Sequence, residues 1–83
     1  MSQQQAIIRS GADFGRAIAH ARLQRGATQD MLAIDAGVSR TVLAKIEAGK
    51  TTILIDHLLR LVRRLGGTVT ITFDDAQGKQ TDG

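Results

Sequence analysis

Cysteine is absent from the 83 residues, which excludes disulfides and thiolate metal sites. The two histidines, His20 and His57, lie far apart without an HxxxH or HExxH spacing, so no metal is expected; His20 reads as a solvated surface residue and His57 as a partly exposed helix residue. Aromatic residues are nearly missing: Phe14 and Phe73 fall on apolar faces, and neither Trp nor Tyr is present, so the stacking platforms of single-stranded RNA recognition are lacking. No apolar run approaches the roughly 18 residues that span a bilayer. The start, MSQQQAII, lacks the basic opening and long apolar core of a signal peptide, and the expected location is the cytoplasm. Asp74-Asp75 is the only adjacent carboxylate pair, with no histidine or glycine-rich phosphate loop nearby to complete a catalytic site. The expectation is a protein that is not an enzyme and carries no cofactor.

What is present is a small domain with uneven charge. Residues 9–64 hold ten Lys and Arg against five Asp and Glu, whereas residues 65–83 hold one against three. A basic body suits a polyanion, although such a surplus is also common on ordinary soluble domains. A chain of this length buries limited surface, which makes oligomerisation a reasonable expectation.

The first residues, 1–9, are Gln-rich and end in Ala6-Ile7-Ile8; they read as a flexible arm rather than a strand. Ser10 and Asp13 have capping-box spacing, and Phe14, Ile18, Ala21 and Arg25 step at helical intervals, giving a helix from Gly11 to Gln24. Thr28 then caps a short helix with Leu32, Ala33 and Ala36 on one side, and Gly37 supplies the positive φ that ends it. Ser39 opens a third helix. Leu43, Ile46 and Glu47 share its inward side, and Arg40, Thr41, Ala44 and Lys45 its outward side, a polar and basic face suited to a DNA major groove. Val42 stands between the two faces and is expected to be partly buried.

After Gly49, a fourth helix starts near Leu54 or Ile55, with Ile55, Leu58, Leu59, Val62 and Leu65 as its apolar face and Asp56 paired with Arg60 outside. Gly66-Gly67 stops it. Thr68, Thr70 and Thr72 then alternate with Val69, Ile71 and Phe73, a strand with one apolar face. Its ladder partner is either Ile7-Ile8 or the same strand of a second subunit. The second option is preferred, because a symmetric antiparallel pair buries three apolar side chains. Residues 75–83 are polar and expected to be disordered. The division is thus an arm over 1–9, a helical domain over 10–66, a dimerisation strand over 67–74 and a tail.

Phe14-Gly15-x-x-Ile18, Arg22, Gly26-x-Thr28-Gln29-x-x-Leu32-Ala33, Ala36-Gly37-Val38-Ser39-Arg40, Ile46-Glu47-x-Gly49-Lys50 and Leu58-Leu59-x-Leu61 through Leu65-Gly66 resemble the Xre/Cro/C1-type helix-turn-helix family. The resemblance implies a mainly α, four- to five-helix, lambda-repressor-like domain with one C-terminal β-strand. The order of domain, Gly-Gly and strand is most similar to the HipB-like antitoxins, dimeric repressors whose strand pairs across two subunits. By resemblance, Ser39, Arg40 and Thr41, with Lys45 a turn further on, read base edges of double-stranded DNA. Gln29 and Thr28 at the start of the second helix, with Lys50 and Thr51 after the third, bind phosphates, and Arg22 and Glu47 form an interhelical salt bridge. The implied role is a homodimeric repressor on a palindromic operator, acting as the antitoxin of a HipA-like kinase toxin; a free-standing repressor is the alternative. Met31 and Ile34, apolar where exposed polar residues are expected, read as ordinary surface variation or as a surface for another protein.

Overall fold

The computed structural model describes residues 3–50 and 53–74. Along the chain run β1 (Gln3–Ile8), α1 (Gly11–Gln24), α2 (Gln29–Ala36), α3 (Arg40–Glu47), α4 (Ile53–Arg64) and β2 (Val69–Asp74). The architecture is mainly helical, with a strand pair, and is that of a lambda-repressor-like helix-turn-helix domain.

Side-chain caps start the first three helices. Ser10 Oγ accepts from the Asp13 amide at 3.1 Å, and Asp13 in turn accepts from the Arg9 amide at 2.8 Å. The shorter aspartate thus closes the capping box one residue earlier than a glutamate would. Thr28 Oγ1 accepts from the Met31 amide and Ser39 Oγ from the Val42 amide, both at 3.0 Å. Gly37 (φ +75°) turns the chain sharply between α2 and α3, and Gly49, also at +75°, ends α3. The Lys50 amide then donates back to the Lys45 carbonyl at 2.9 Å, which satisfies an otherwise orphaned carbonyl.

The arm is a strand. Residues 3–8, expected to be frayed, pair antiparallel with β2 in the register Gln4 to Phe73, Ala6 to Ile71 and Ile8 to Val69. The partner of β2 along this edge is therefore β1 of its own chain, not the second-subunit strand expected. The physical reason lies in the core: Ile8, only 3% exposed, joins Ala17 and Leu59, with Ala6, Phe14, Ile55, Val69, Ile71 and Phe73 packed around them. Val69, Ile71 and Phe73 spend their apolar face on this cluster, so a local partner already meets the need that suggested dimerisation.

A second buried group, Ala21, Ala33 and Leu43, sits among α1, α2 and α3. The fourth helix departs from expectation. Its inward side carries Ile55, Leu59 and Val62, but Leu58 and Leu65 are exposed. Asp56, expected to face outward beside Arg60, accepts from the Gly11 amide at 2.6 Å. A carboxylate is favoured there by the positive end of the α1 dipole. Arg63 donates to the Arg9 carbonyl at 2.7 Å, so both ends of this crossing are pinned. Residues 75–83, expected to be disordered, lie outside the described residues.

Candidate nucleic-acid interface

The α3 helix is eight residues long and amphipathic, with Leu43 buried and Ile46 and Glu47 half-buried beneath it. Its outward side places Arg40, Thr41, Ala44 and Lys45, with Ala48 and Lys50, around one shallow concavity of about 390 Å³. Val42, expected to be partly buried, is 45% exposed, and Val38 of the turn is exposed as well. Leu43, Ile46 and Glu47 take the inward positions of this eight-residue helix, and Val42 lies one residue off that face.

The four residues singled out for base reading differ in freedom. Thr41 and Lys45 are exposed. Ser39 has an oxygen lone pair occupied by the Val42 amide, while its hydroxyl proton can still donate. Arg40 Nε lies 3.5 Å from Asp30 Oδ1 of α2, with both side chains about two-thirds exposed. An exposed pair of this kind contributes about 0–1 kcal/mol. Asp30, in the first turn of α2, was not singled out from the sequence, where no spacing along one helix links it to Arg40.

Beneath the surface lies a charged network. Arg22 donates from Nε to Glu47 Oε2 at 2.8 Å, from Nη2 to Oε1 at 2.9 Å, and from Nη1 to the Ala27 carbonyl at 2.9 Å. The side chains of Arg22 and Glu47 are 12% and 7% exposed, so this fork ties α1 to α3 away from solvent. The Arg22 hydrogen bonds hold the Glu47 carboxyl below its ordinary value, against burial, and Gln29 helps in the same direction. The same bonds raise the Arg22 guanidinium.

Of the residues singled out for phosphate contact, Gln29 is half-buried and donates from Nε2 to Glu47 Oε1 at 2.9 Å. One amide N–H is thereby committed and the second remains available. Thr28 Oγ1 caps α2, and the exposed Lys50 sits at the rim of the α3 concavity. Thr51 lies outside the described residues. Among the described residues no group of three His, Asp or Glu is placed to hold a metal, and no helix is long and apolar enough to cross a membrane.

Two short capped helices joined by a left-handed glycine, the second presenting a basic polar face, define a helix-turn-helix DNA-binding domain. Comparison with family models agrees: the helix-turn-helix model matches residues 18–71, more than half of the chain. The protein belongs to the Xre/Cro/C1-type helix-turn-helix family and is a DNA-binding transcription regulator. No curated protein and no solved structure matches the chain.

Proposed function

We infer that the protein is a sequence-specific repressor that acts as a homodimer, placing one α3 per subunit into successive major grooves, roughly 34 Å apart, of a palindromic operator. The observation that carries this reading is the α3 concavity, where Arg40, Thr41, Lys45 and Lys50 share one exposed surface. Arg40 supplies the strongest base reader, because a guanidinium binds guanine O6 and N7 bidentately. Thr41, the Ser39 hydroxyl and Lys45 read neighbouring bases. Gln29, through its second amide N–H, Thr28, Lys50 and Thr51 hold phosphates and set the register of the helix. In this reading Asp30 partly opposes a phosphate at the start of α2, so the clamp there rests on Gln29 rather than on the helix end alone.

Selection of bound fragments from random DNA tests it. A palindrome of half-sites about one helical turn apart is the expected outcome. Binding should also weaken with salt, with a slope of roughly 0.9 per phosphate contacted. A flat salt response and no enriched sequence would overturn the reading.

The finer role proposed is that of an antitoxin in a type II toxin-antitoxin pair, repressing its own operon in the cytoplasm and restraining a HipA-like kinase toxin. Met31 and Ile34, both exposed on α2, support a protein-binding surface outside the α3 face. With one edge of β2 paired to β1, this role no longer draws on a strand that lacks a partner. Co-expression with a kinase-like product of the adjacent gene should give a stable complex that Met31→Asp with Ile34→Asp dissolves. A chain that purifies alone beside every neighbouring product is instead a free-standing repressor.

A further inference from the structure

Leu54, Leu58 and Leu61 of α4, with Leu65 just past its end, stand between 49% and 86% exposed. Their spacing of four, three and four residues puts them in one stripe along a single side, the pattern of a helix that meets a second helix. The helix therefore shows four leucines outward while burying only Leu59 and half-burying Ile55 and Val62 on the other side. Residues 75–83 contain no apolar side chain larger than alanine, and of 1, 2, 51 and 52 only Met1 is apolar.

We propose that this leucine stripe is the homodimer interface, with α4 of one subunit packed antiparallel on α4 of a second copy so that Leu54 meets the partner's Leu65 and Leu58 meets the partner's Leu61. The proposal rests on the dimeric reading above and names its surface. A stripe of identical residues with this spacing is complementary to itself when reversed, which a two-fold contact demands. Charge selects the orientation. Arg60, Arg63 and Arg64 lie in the second half of α4, whereas Asp56 is the only Asp, Glu, Lys or Arg in the first half. A parallel pair brings the arginines of both copies together. An antiparallel pair sets each arginine-bearing half beside the other's nearly uncharged half and opposes the helix dipoles. The position suits DNA binding too, since α4 packs on α1 and the strand ribbon while α3 packs on α1 and α2, leaving the α3 concavity open.

Sedimentation of the full chain and of Leu58→Glu with Leu61→Glu tests this, with far-UV circular dichroism as the folding control. The expected result is a wild-type dimer and a folded monomeric variant whose affinity for the selected operator falls roughly 100-fold or more while single half-site binding persists. A variant that stays dimeric overturns the interface and leaves the dimeric reading standing. A wild-type chain that is monomeric both free and on DNA overturns both, as does a monomer that uses these leucines only to hold a different protein. Should the double variant unfold, oxidation of single cysteine variants decides, because the chain has no cysteine of its own. Leu54→Cys mixed with Leu65→Cys should cross-link, and each alone should not. Cross-linking of either variant with itself, or none in the mixture, overturns the antiparallel pairing.

Discussion

Gly15 of α1 and Ile46 of α3 meet backbone to backbone. A Cβ on Gly15 would lie 3.0 Å from the Ile46 carbonyl carbon and 3.3 Å from Glu47 Cα, and nearer still to the Ile46 oxygen. None of these is the end of a flexible side chain, so relief requires one helix to move. Since α1 is the support on which α3 rests, Gly15→Ala should cost at least about 2 kcal/mol, the range of overpacking in a closed core. Denaturant titration reads this directly. A variant as stable as the wild type would mean that α1 and α3 cross less closely than described.

Arg22 and Glu47 supply the polar half of the same crossing. Replacing both members of a well-formed charge pair with apolar residues can be neutral, but removing Glu47 leaves the Arg22 guanidinium without its partner beneath α3, which destabilises the crossing. Glu47→Ala should therefore lower the melting temperature before it affects any DNA contact. Gln29 also loses its acceptor. If the variant kept its melting temperature while losing DNA affinity, the assignment to structure rather than recognition would be wrong.

The same carboxylate predicts a pH response. Glu47 is held below its ordinary value of 4.5, so its contribution is present above that value and is lost as pH falls through the lower folded-state value. Asp13, lowered chiefly by the Arg9 amide, acts in the same direction over the range below 3.8. Thermal denaturation from neutral to acid pH should show stability falling from about pH 4.5 downward. In Glu47→Gln, less stable at neutral pH, the upper part of that decline should be shallower.

Ile8 is the fourth test, since it separates a strand from an arm. Ile8→Ala should cost about 2–5 kcal/mol, the usual range for truncating a buried isoleucine. An exposed arm would lose almost nothing. Ile7→Ala, on the outer side of the ribbon, is the control and should be close to neutral.

The contrast between Ile8 and the helices explains what was legible in the sequence. Ser10, Thr28 and Ser39 announce helix starts, Gly37 and Gly49 announce ends, and each signal acts within a few residues, so the positions of α1, α2 and α3 follow from local chemistry. β1 has no such signal, because Gln3, Gln4 and Gln5 hide its alternation and its partner lies more than sixty residues away. Of the stripe on α4, the sequence pattern reads Leu58 and Leu65 as part of the inward face and does not place Leu54 and Leu61 on it, since periodicity marks a face without saying what covers it. Asp30 was missed for a related reason: its approach to Arg40 depends on the turn between α2 and α3, not on spacing along one helix.

That ion pair gives the sharpest test of the α3 surface. Arg40→Ala should relax sequence preference at one operator position, at a cost of about 1–3 kcal/mol for the correct base. Gln29→Ala and Lys50→Ala should instead weaken binding to all sequences alike and lower the salt slope or the intercept. Asp30→Asn removes the charge that holds Arg40 Nε and opposes phosphate at the start of α2, so total affinity should rise at low salt. Whether discrimination rises with it depends on what the pair does. If Asp30 only competes with DNA for the guanidinium, the correct and incorrect bases gain alike; if it aims the fork at guanine, affinity for the incorrect bases gains more and the preference at that position narrows. Competition binding with operator variants, performed on Asp30→Asn and on the double variant with Arg40→Ala, separates these outcomes. An effect of Asp30→Asn on preference that survives without Arg40 would show that Asp30 acts on DNA directly.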